Sequence, residues 1–540
     1  MKAKYLFLAL ASVAFAGCED LDLRPEGDTV TTDQKTEVVE SLPERAQAGV
    51  NAVYSGMSQL CPNYDALGGL DRHNDIGYPS VMMFMDQWGN DVITDDNGYN
   101  WSGNSLTYAD RDYDSLEGII IWNTLYSTIK TANSLIGDLT SAGTPSDINV
   151  RFNLAQGYVT RANMYLVLVQ LYQFNYVGHE NSPAVPLITD KNIEESSANG
   201  LPRATVQQVY DQITADLDTA IVYFKEAAEA KVKRADKRYA DLSVAYGVQA
   251  RTFLAMHKYA EAAKAAENAI AACGSSVTPA SFEDINKPSF WDFSEQNWMW
   301  GIRIEETDDV VSSGIVNWIS HCGTFNYGYG QNSGGRQINK QLYATIPTTD
   351  ARKAWWSNAE GKNVYLSEEY NNYLEENEFA PYTNCKFAPY GGYADANLNA
   401  DNNANDIVLM RIEEMYLIKA EGLARSGGDG ASVLNNFMTK YRDPQYKPYY
   451  QDVAEEVVRQ RRIEFWGEGL AWFDIMRLNK GVDRRGCGYH QATVVYNIPA
   501  GSDILLYRLP QSEIQANPAL TDADNNPAAP LPTPVKDLEE

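Results

Sequence analysis

Apolar residues return every three or four positions over long stretches of this chain, and that period restricts it to packed helices. Trp122, Tyr126, Ile129, Ala132 and Ile136 form one such stripe. Leu154, Tyr158, Ala162, Tyr165, Val169 and Tyr172 form a second, and Val206, Val209, Ile213, Leu217, Ile221 and Phe224 a third. A helix places residues three and four apart on one face, so each stripe needs a partner surface.

The stretch Ala240 to Cys273 shows how such partners arrange. Tyr246, Ala250 and Phe253 fall on one expected helix, and Tyr259, Ala262 and Ala269 on the next. The alanines let two antiparallel helices approach closely while the aromatics fill the flanks, a spacing that resembles the tetratricopeptide repeat. We therefore expect a mainly α fold, with tetratricopeptide-like helical repeats forming a right-handed solenoid scaffold and a large irregular loop-rich insertion.

That insertion runs over 277–405, where helical period gives way to Gly, Asn, Tyr and Trp, and long insertions of this kind usually carry function. It separates an N-terminal helical part, 42–276, from a C-terminal part, 406–540. Helices are expected to resume at Ile407 to Arg425 and Asp452 to Leu478.

The start of the chain has its own logic. Lys2 and Lys4 precede an apolar run from Tyr5 to Phe15, then Ala16 and Gly17 stand before Cys18. A run that short falls below the roughly 20 residues of a membrane-spanning helix, and the pattern is that of a signal peptide over 1–17. Small residues before a cysteine resemble the lipobox of bacterial lipoproteins, which makes Cys18 the expected lipidation site. The polar stretch 18–41 would then be a lipidated tether, with 42–540 as the body. The five cysteines beyond it (Cys61, Cys273, Cys322, Cys385 and Cys487) are scattered and show no metal spacing, so buried thiols are expected rather than a disulfide scaffold.

Charge narrows the function. The chain carries 44 basic against 72 acidic residues, a net charge of -28, and such a field repels nucleic-acid phosphates. No Ser-His-Asp order, HExxH or P-loop occurs, and His73, His179, His257, His321 and His490 are dispersed. We expect no catalytic residues, metal or cofactor. A surface glycoside hydrolase with paired carboxylates, or a protein-interaction scaffold, are the rival readings.

The C-terminal third is the most specific. Val408 to Glu421 (VLMRIEEMYLIKAE), Arg461 to Gly469 (RRIEFWGEG) and Trp472 to Arg477 (WFDIMR) resemble the hallmark helices of the SusD/RagB family, the surface lipoproteins of Bacteroidetes nutrient-uptake systems. Leu509 to Ile514 and Asn517-Pro518 are similar to that family's closing motif. The pattern departs at Gln460, where the family commonly has Glu, and at Leu470-Ala471, where a basic residue usually precedes the Trp. Within these motifs Arg411, Glu414 and Glu421 are spaced as one helical face, where Arg461 or Arg462 could meet them. With Glu464 they form an expected structural ion-pair network.

The resemblance implies an outer-membrane lipoprotein facing the exterior, held by its lipid alone. It would bind a glycan, or a peptide in some members, and deliver it to a SusC-like TonB-dependent transporter. Sugar rings pack their C-H faces on Trp and Tyr while polar groups reach the hydroxyls. The candidate contacts are Arg72, Trp88, Asp91, Tyr99 and Trp101 in the first loop region, and Trp318, Tyr327 and Tyr329 in the insertion. Trp88 stands out because Gly89, Asn90 and Asp91 follow it in an apparent helix-to-loop exit. Each aromatic has the alternative role of a buried loop anchor.

Overall fold

The computed structural model describes residues 46–538, apart from 97 and 288. Cys18, the signal segment and the tether lie outside the described residues. Among the described residues no helix is long and apolar enough to cross a membrane.

The protein is mainly helical. The long helices are α1 (Ala46–Ser55), α2 (Tyr78–Trp88), α3 (Leu116–Thr140), α4 (Ile148–Tyr172), α5 (Val206–Glu229), α6 (Leu242–Ala255), α7 (Tyr259–Cys273), α8 (Ile412–Arg425), α9 (Gly430–Tyr441) and α10 (Val453–Glu464). Their starts are chemically marked. Ser115, Asp147, Asp241 and Asp452 each accept hydrogen bonds from backbone N–H groups of the first turn, and Thr205 forms a capping box with Gln208.

From α3 to α9 each helix packs on the next, and the order continues from α7 to α8 although the whole insertion lies between them in sequence. α4 is buried along nearly its full length and carries Arg161 at its middle. That guanidinium is paired with Asp216 at 2.7 Å and Asp190 at 2.6 Å, so the charge is neutralised inside the stack.

The small residues of the helical hairpin work as their spacing requires. Ala250, Ala262 and Ala269 are fully buried. A close backbone approach occurs at Gly422 on α8, where a Cβ would stand 2.5 Å from the carbonyl oxygen of Tyr259 and 2.9 Å from the nitrogen of Ala263 on α7. Those are backbone atoms and cannot step aside. Gly422→Leu is therefore expected to separate the two helices and cost about 1–3 kcal/mol or more, read as a lower thermal midpoint.

One expected helix changes type at its start. Ile407–Arg411 is a strand, β2, paired antiparallel with β1 (Trp298–Ile302) in the register Trp298 to Arg411 and Ile302 to Ile407. This ribbon clamps the two ends of the insertion together. The insertion is also less irregular than its composition suggests, since it holds short helices such as Trp318–Cys322 and Glu368–Glu376. Its tryptophans Trp298, Trp300, Trp355 and Trp356 join the same apolar core as α2 to α8, and a small satellite core forms around Phe325, Tyr370 and Leu374. Cys273, Cys322, Cys385 and Cys487 are free and buried, and Cys61 is free and half-buried.

Candidate functional site

Two distant loops meet because a short ribbon ties them. Val92–Ile93 pairs antiparallel with Gln337–Ile338, and the backbone N–H of Asn339 donates to the carbonyl of Asp91 at 2.9 Å. This brings the first aromatic loop against the insertion and places Arg72, Tyr99, Trp101 and Tyr329 together, with Tyr327 beside Tyr329 in the chain.

The rings form a surface platform. Tyr99 and Trp101 are nearly parallel, with centroids 6.2 Å apart and planes 11° from parallel. Tyr329 stands across both, 5.9 Å from each, at 67° to Tyr99 and 72° to Trp101. The guanidinium of Arg72 lies 4.6 Å from the centre of the Trp101 ring, a cation-π contact. One edge of it is committed, since Nη2 donates to Glu117 Oε1 at 2.8 Å and to the carbonyl of Asn100 at 2.9 Å. Tyr99 is 59% exposed and Tyr327 53% exposed, whereas Tyr329 is only 7% exposed and acts chiefly as support.

Beneath the rings lie two histidines whose dispersal in the sequence hid them. His73 stacks on Trp101 with centroids 5.2 Å apart and shares a 2.5 Å hydrogen bond between Nδ1 and the Tyr329 hydroxyl. His321 stacks on Tyr329 at 4.9 Å, and its Nε2 meets the carbonyl of His73 at 2.8 Å. Burial disfavours the imidazolium at both: it pushes His321 down to about 3 and lowers His73. Burial likewise raises the Tyr329 phenol above its ordinary value. Neutral rings thus support the platform. Asn74, which donates to the carbonyl of Trp101 at 3.0 Å, and buried Glu117 complete it. No spacing rule could have joined residues 73 and 321, because the hydrogen bond between them exists only once the ribbon has formed.

Three candidates lie elsewhere. Trp88 is fully buried: its Nε1 donates to Asp110 Oδ2 at 2.6 Å, its ring packs at 5.3 Å from Trp472 and 5.1 Å from Tyr507, and the Arg111 guanidinium lies 4.0 Å over it. The Gly-Asn-Asp exit after it is real, but segments from the far C-terminal part cover the helix end. Asp91 is buried in a bidentate pair with Arg462, with contacts of 2.5 and 3.0 Å. Trp318 is 3% exposed and packs edge-on to Phe387 at 4.9 Å. Trp88→Ala is therefore expected to cost about 3–5 kcal/mol of stability, measured by denaturant unfolding, while folded variant binds as before. Lost binding with unchanged stability would return Trp88 to the site.

The charged motifs divide into three groups rather than one face. Arg411 closes β2 in extended conformation, so helical spacing begins only after it, and its side chain turns to Glu464 at 2.9 Å and Glu468 at 2.8 Å. Arg442 at 2.8 Å and Arg352 at 3.2 Å also reach Glu464, which makes that carboxylate a buried hub. Glu414 pairs with Arg251 at 2.6 Å and, as the spacing anticipated, also meets Arg461 at 3.9 Å, while Arg461 holds Asp474 at 2.7 Å and Arg477 bridges Glu421 and Asp474. Among the described residues Arg462 pairs with Asp91. Gln460 needs no charge: its amide oxygen accepts from Arg352 at 2.5 Å and its nitrogen donates to Glu456 at 2.9 Å.

The helical body thus presents an aromatic platform on its loops and holds a buried charge network in its C-terminal part. Comparison gives it a family. A model described as "Starch-binding associating with outer membrane" matches residues 80–254, and the SusD family model matches 317–528. SusD-like protein P2 of Formosa agariphila is 24% identical, over 97% of this chain and 99% of the relative. SusD-like protein P38 of the same organism is 22% identical over 68% and 73%. A SusD-like carbohydrate binding protein from Bacteroides vulgatus shares the fold with a TM-score of 0.70, 21% identity, and coverage of 89% of this chain and 97% of that one. Surface glycan-binding protein A from Bacteroides thetaiotaomicron, solved in complex with laminarihexaose, aligns with a TM-score of 0.60, 17% identity, and coverage of 89% and 99%. The chain belongs to the SusD/RagB family, which is made of non-catalytic binding proteins.

Proposed function

We propose that this protein captures a nutrient glycan at the outer cell surface and delivers it to a SusC-like TonB-dependent transporter, tethered to the outer membrane by a lipid on Cys18. The observation that carries the glycan reading is the placement of the exposed Tyr99 ring and the half-buried Trp101 ring beside Arg72, with the exposed Tyr327 two residues from Tyr329 in the chain. The exposed Tyr99 ring and the uncovered part of Trp101 supply apolar stacking for sugar C-H groups, and the guanidinium and nearby carbonyls supply hydrogen bonds to hydroxyls. A relative of the same fold that holds laminarihexaose supports the ligand class. In this reading the stacked helices of 42–276 serve as a tetratricopeptide-like solenoid, 277–405 carries half of the platform, and 406–540 locks the two.

Two experiments test the proposal. Affinity electrophoresis of the purified lipoprotein through gels containing single polysaccharides should show retardation by at least one of them, and uniform mobility in every gel contradicts glycan capture. Isolation from the native membrane in mild detergent should bring a large TonB-dependent barrel with it. Recovery of the lipoprotein alone after crosslinking contradicts the delivery step.

A further inference from the structure

We infer that the ligand of this platform is an uncharged glycan, and that uronate-bearing and sulfated polymers are excluded. The inference rests on the glycan reading above and adds a charge class to it.

The two segments that build the platform have an unusual charge content. Residues 58–104 hold seven acidic side chains (Asp65, Asp71, Asp75, Asp86, Asp91, Asp95 and Asp96) and a single basic one, Arg72. Residues 313–335, which supply Tyr327, Tyr329 and His321, hold no Asp, Glu, Lys or Arg at all. Arg72 is thus the one cation these segments contribute, and it is already paired with the buried carboxylate of Glu117 at 2.8 Å. Recognition of a carboxylate or sulfate draws its strength from a guanidinium fork whose charge is free to be shared, commonly in a bidentate arrangement. Here the fork is partly spent, and its charge is balanced.

The surroundings add repulsion. Asp71 is exposed next to Arg72. The carboxylate of Asp96 is fixed at the loop that carries both rings, accepting from the backbone N–H groups of Gly98 at 3.2 Å, Asn100 at 3.3 Å and Ser102 at 3.4 Å. The imidazoles below the rings are kept neutral by burial and supply no compensating charge. The whole chain, at -28, extends the same sign outward. A polyanion would meet this field on approach and find no exposed, unpaired cation among the described residues of these segments, since Arg336, which follows the second one, is buried at 4% exposure with its Nε donating to the carbonyl of His321 at 2.9 Å. A neutral sugar meets neither penalty: its hydroxyls both donate and accept, which suits carboxylates, carbonyls and one guanidinium edge together.

The test uses the lipidated protein in mild detergent and immobilised polymers of both classes. Laminarin, amylopectin, xyloglucan and galactomannan represent the neutral class. Polygalacturonate, alginate and chondroitin sulfate represent the anionic one, and an oligolysine peptide represents a cationic ligand. At least one neutral polymer should be retained, every polyanion should bind at least roughly tenfold more weakly, and neutral retention should hold steady as salt is raised through the range that screens surface charge. Fully methyl-esterified polygalacturonate should bind better than its parent acid. A polyanion retained as strongly as the best neutral polymer, with retention lost in Trp101→Ala, overturns the charge inference and leaves glycan capture standing. Retention of oligolysine alone, or of no polymer, overturns both.

Discussion

Trp101→Ala is expected to abolish retention on the polysaccharide that the wild-type protein binds, with a loss of affinity of roughly ten- to a hundredfold and little change in melting temperature. The magnitude follows from area. An indole covering a sugar face withdraws part of a side chain that can bury about 150–250 Å². At about 25 cal/mol per Å², a partial share of that area is worth roughly 1.5–3 kcal/mol, or one to two decades in affinity. Stability should hold because Trp101 is only part-buried, on a loop outside the helical stack. Tyr99→Ala should show a smaller loss of the same kind, since its ring lies parallel to Trp101 and more exposed. Tyr329→Phe removes only the hydroxyl held by His73, so it measures how far that hydrogen bond fixes the ring.

A loss of stability as large as that of Trp88→Ala is expected from Glu464→Gln. Glu464 is fully buried and touched by Arg411, Arg442 and Arg352 at 2.9, 2.8 and 3.2 Å. Removing its charge while keeping its shape leaves three buried guanidiniums short of a counter-charge, and breaking such a cluster from one side costs about 3–5 kcal/mol. The same carboxylate predicts a pH dependence. Burial works to raise its pKa, but the guanidiniums of Arg442, Arg411 and Arg352 together outweigh that and hold it well below the ordinary value of 4.5. Its contribution is therefore fully present above about pH 4.5 and is lost as pH falls through the depressed folded value. Denaturant melts taken across the acid range should show a shallower acid loss in Glu464→Gln than in the wild type. Parallel curves would remove Glu464 from the linkage.

Much of this architecture is written locally. The three- and four-residue period from Trp122 to Phe224 specifies α3, α4 and α5, and the alanines of 250–269 specify the close hairpin of α6 and α7, because these are interactions between near neighbours. The C-terminal motifs carry the family resemblance because their charged residues build the Glu464 hub and the Glu421–Arg477–Asp474 group. The fates of single side chains are a different matter. Trp88 has the local context of a loop contact, yet Trp472 and Tyr507 bury it from nearly 400 residues away. Asp91 is claimed by Arg462 across a similar distance. Arg411 broke the expected face because a strand ends where a helix was expected to run. Of the loop candidates, Arg72, Tyr99, Trp101 and Tyr329 share one site because a two-residue ribbon between Val92–Ile93 and Gln337–Ile338 joins their loops. A ribbon that short has no sequence signature, and neither do the histidines it brings under the rings.

A crystal structure of the protein with a retained oligosaccharide tests the central claim most directly. The account predicts a sugar ring stacked on the faces of Tyr99 and Trp101, with Arg72 within hydrogen-bonding distance of a hydroxyl and Tyr327 closing one side. Sugar ordered at another surface, with the platform left bare, would contradict it.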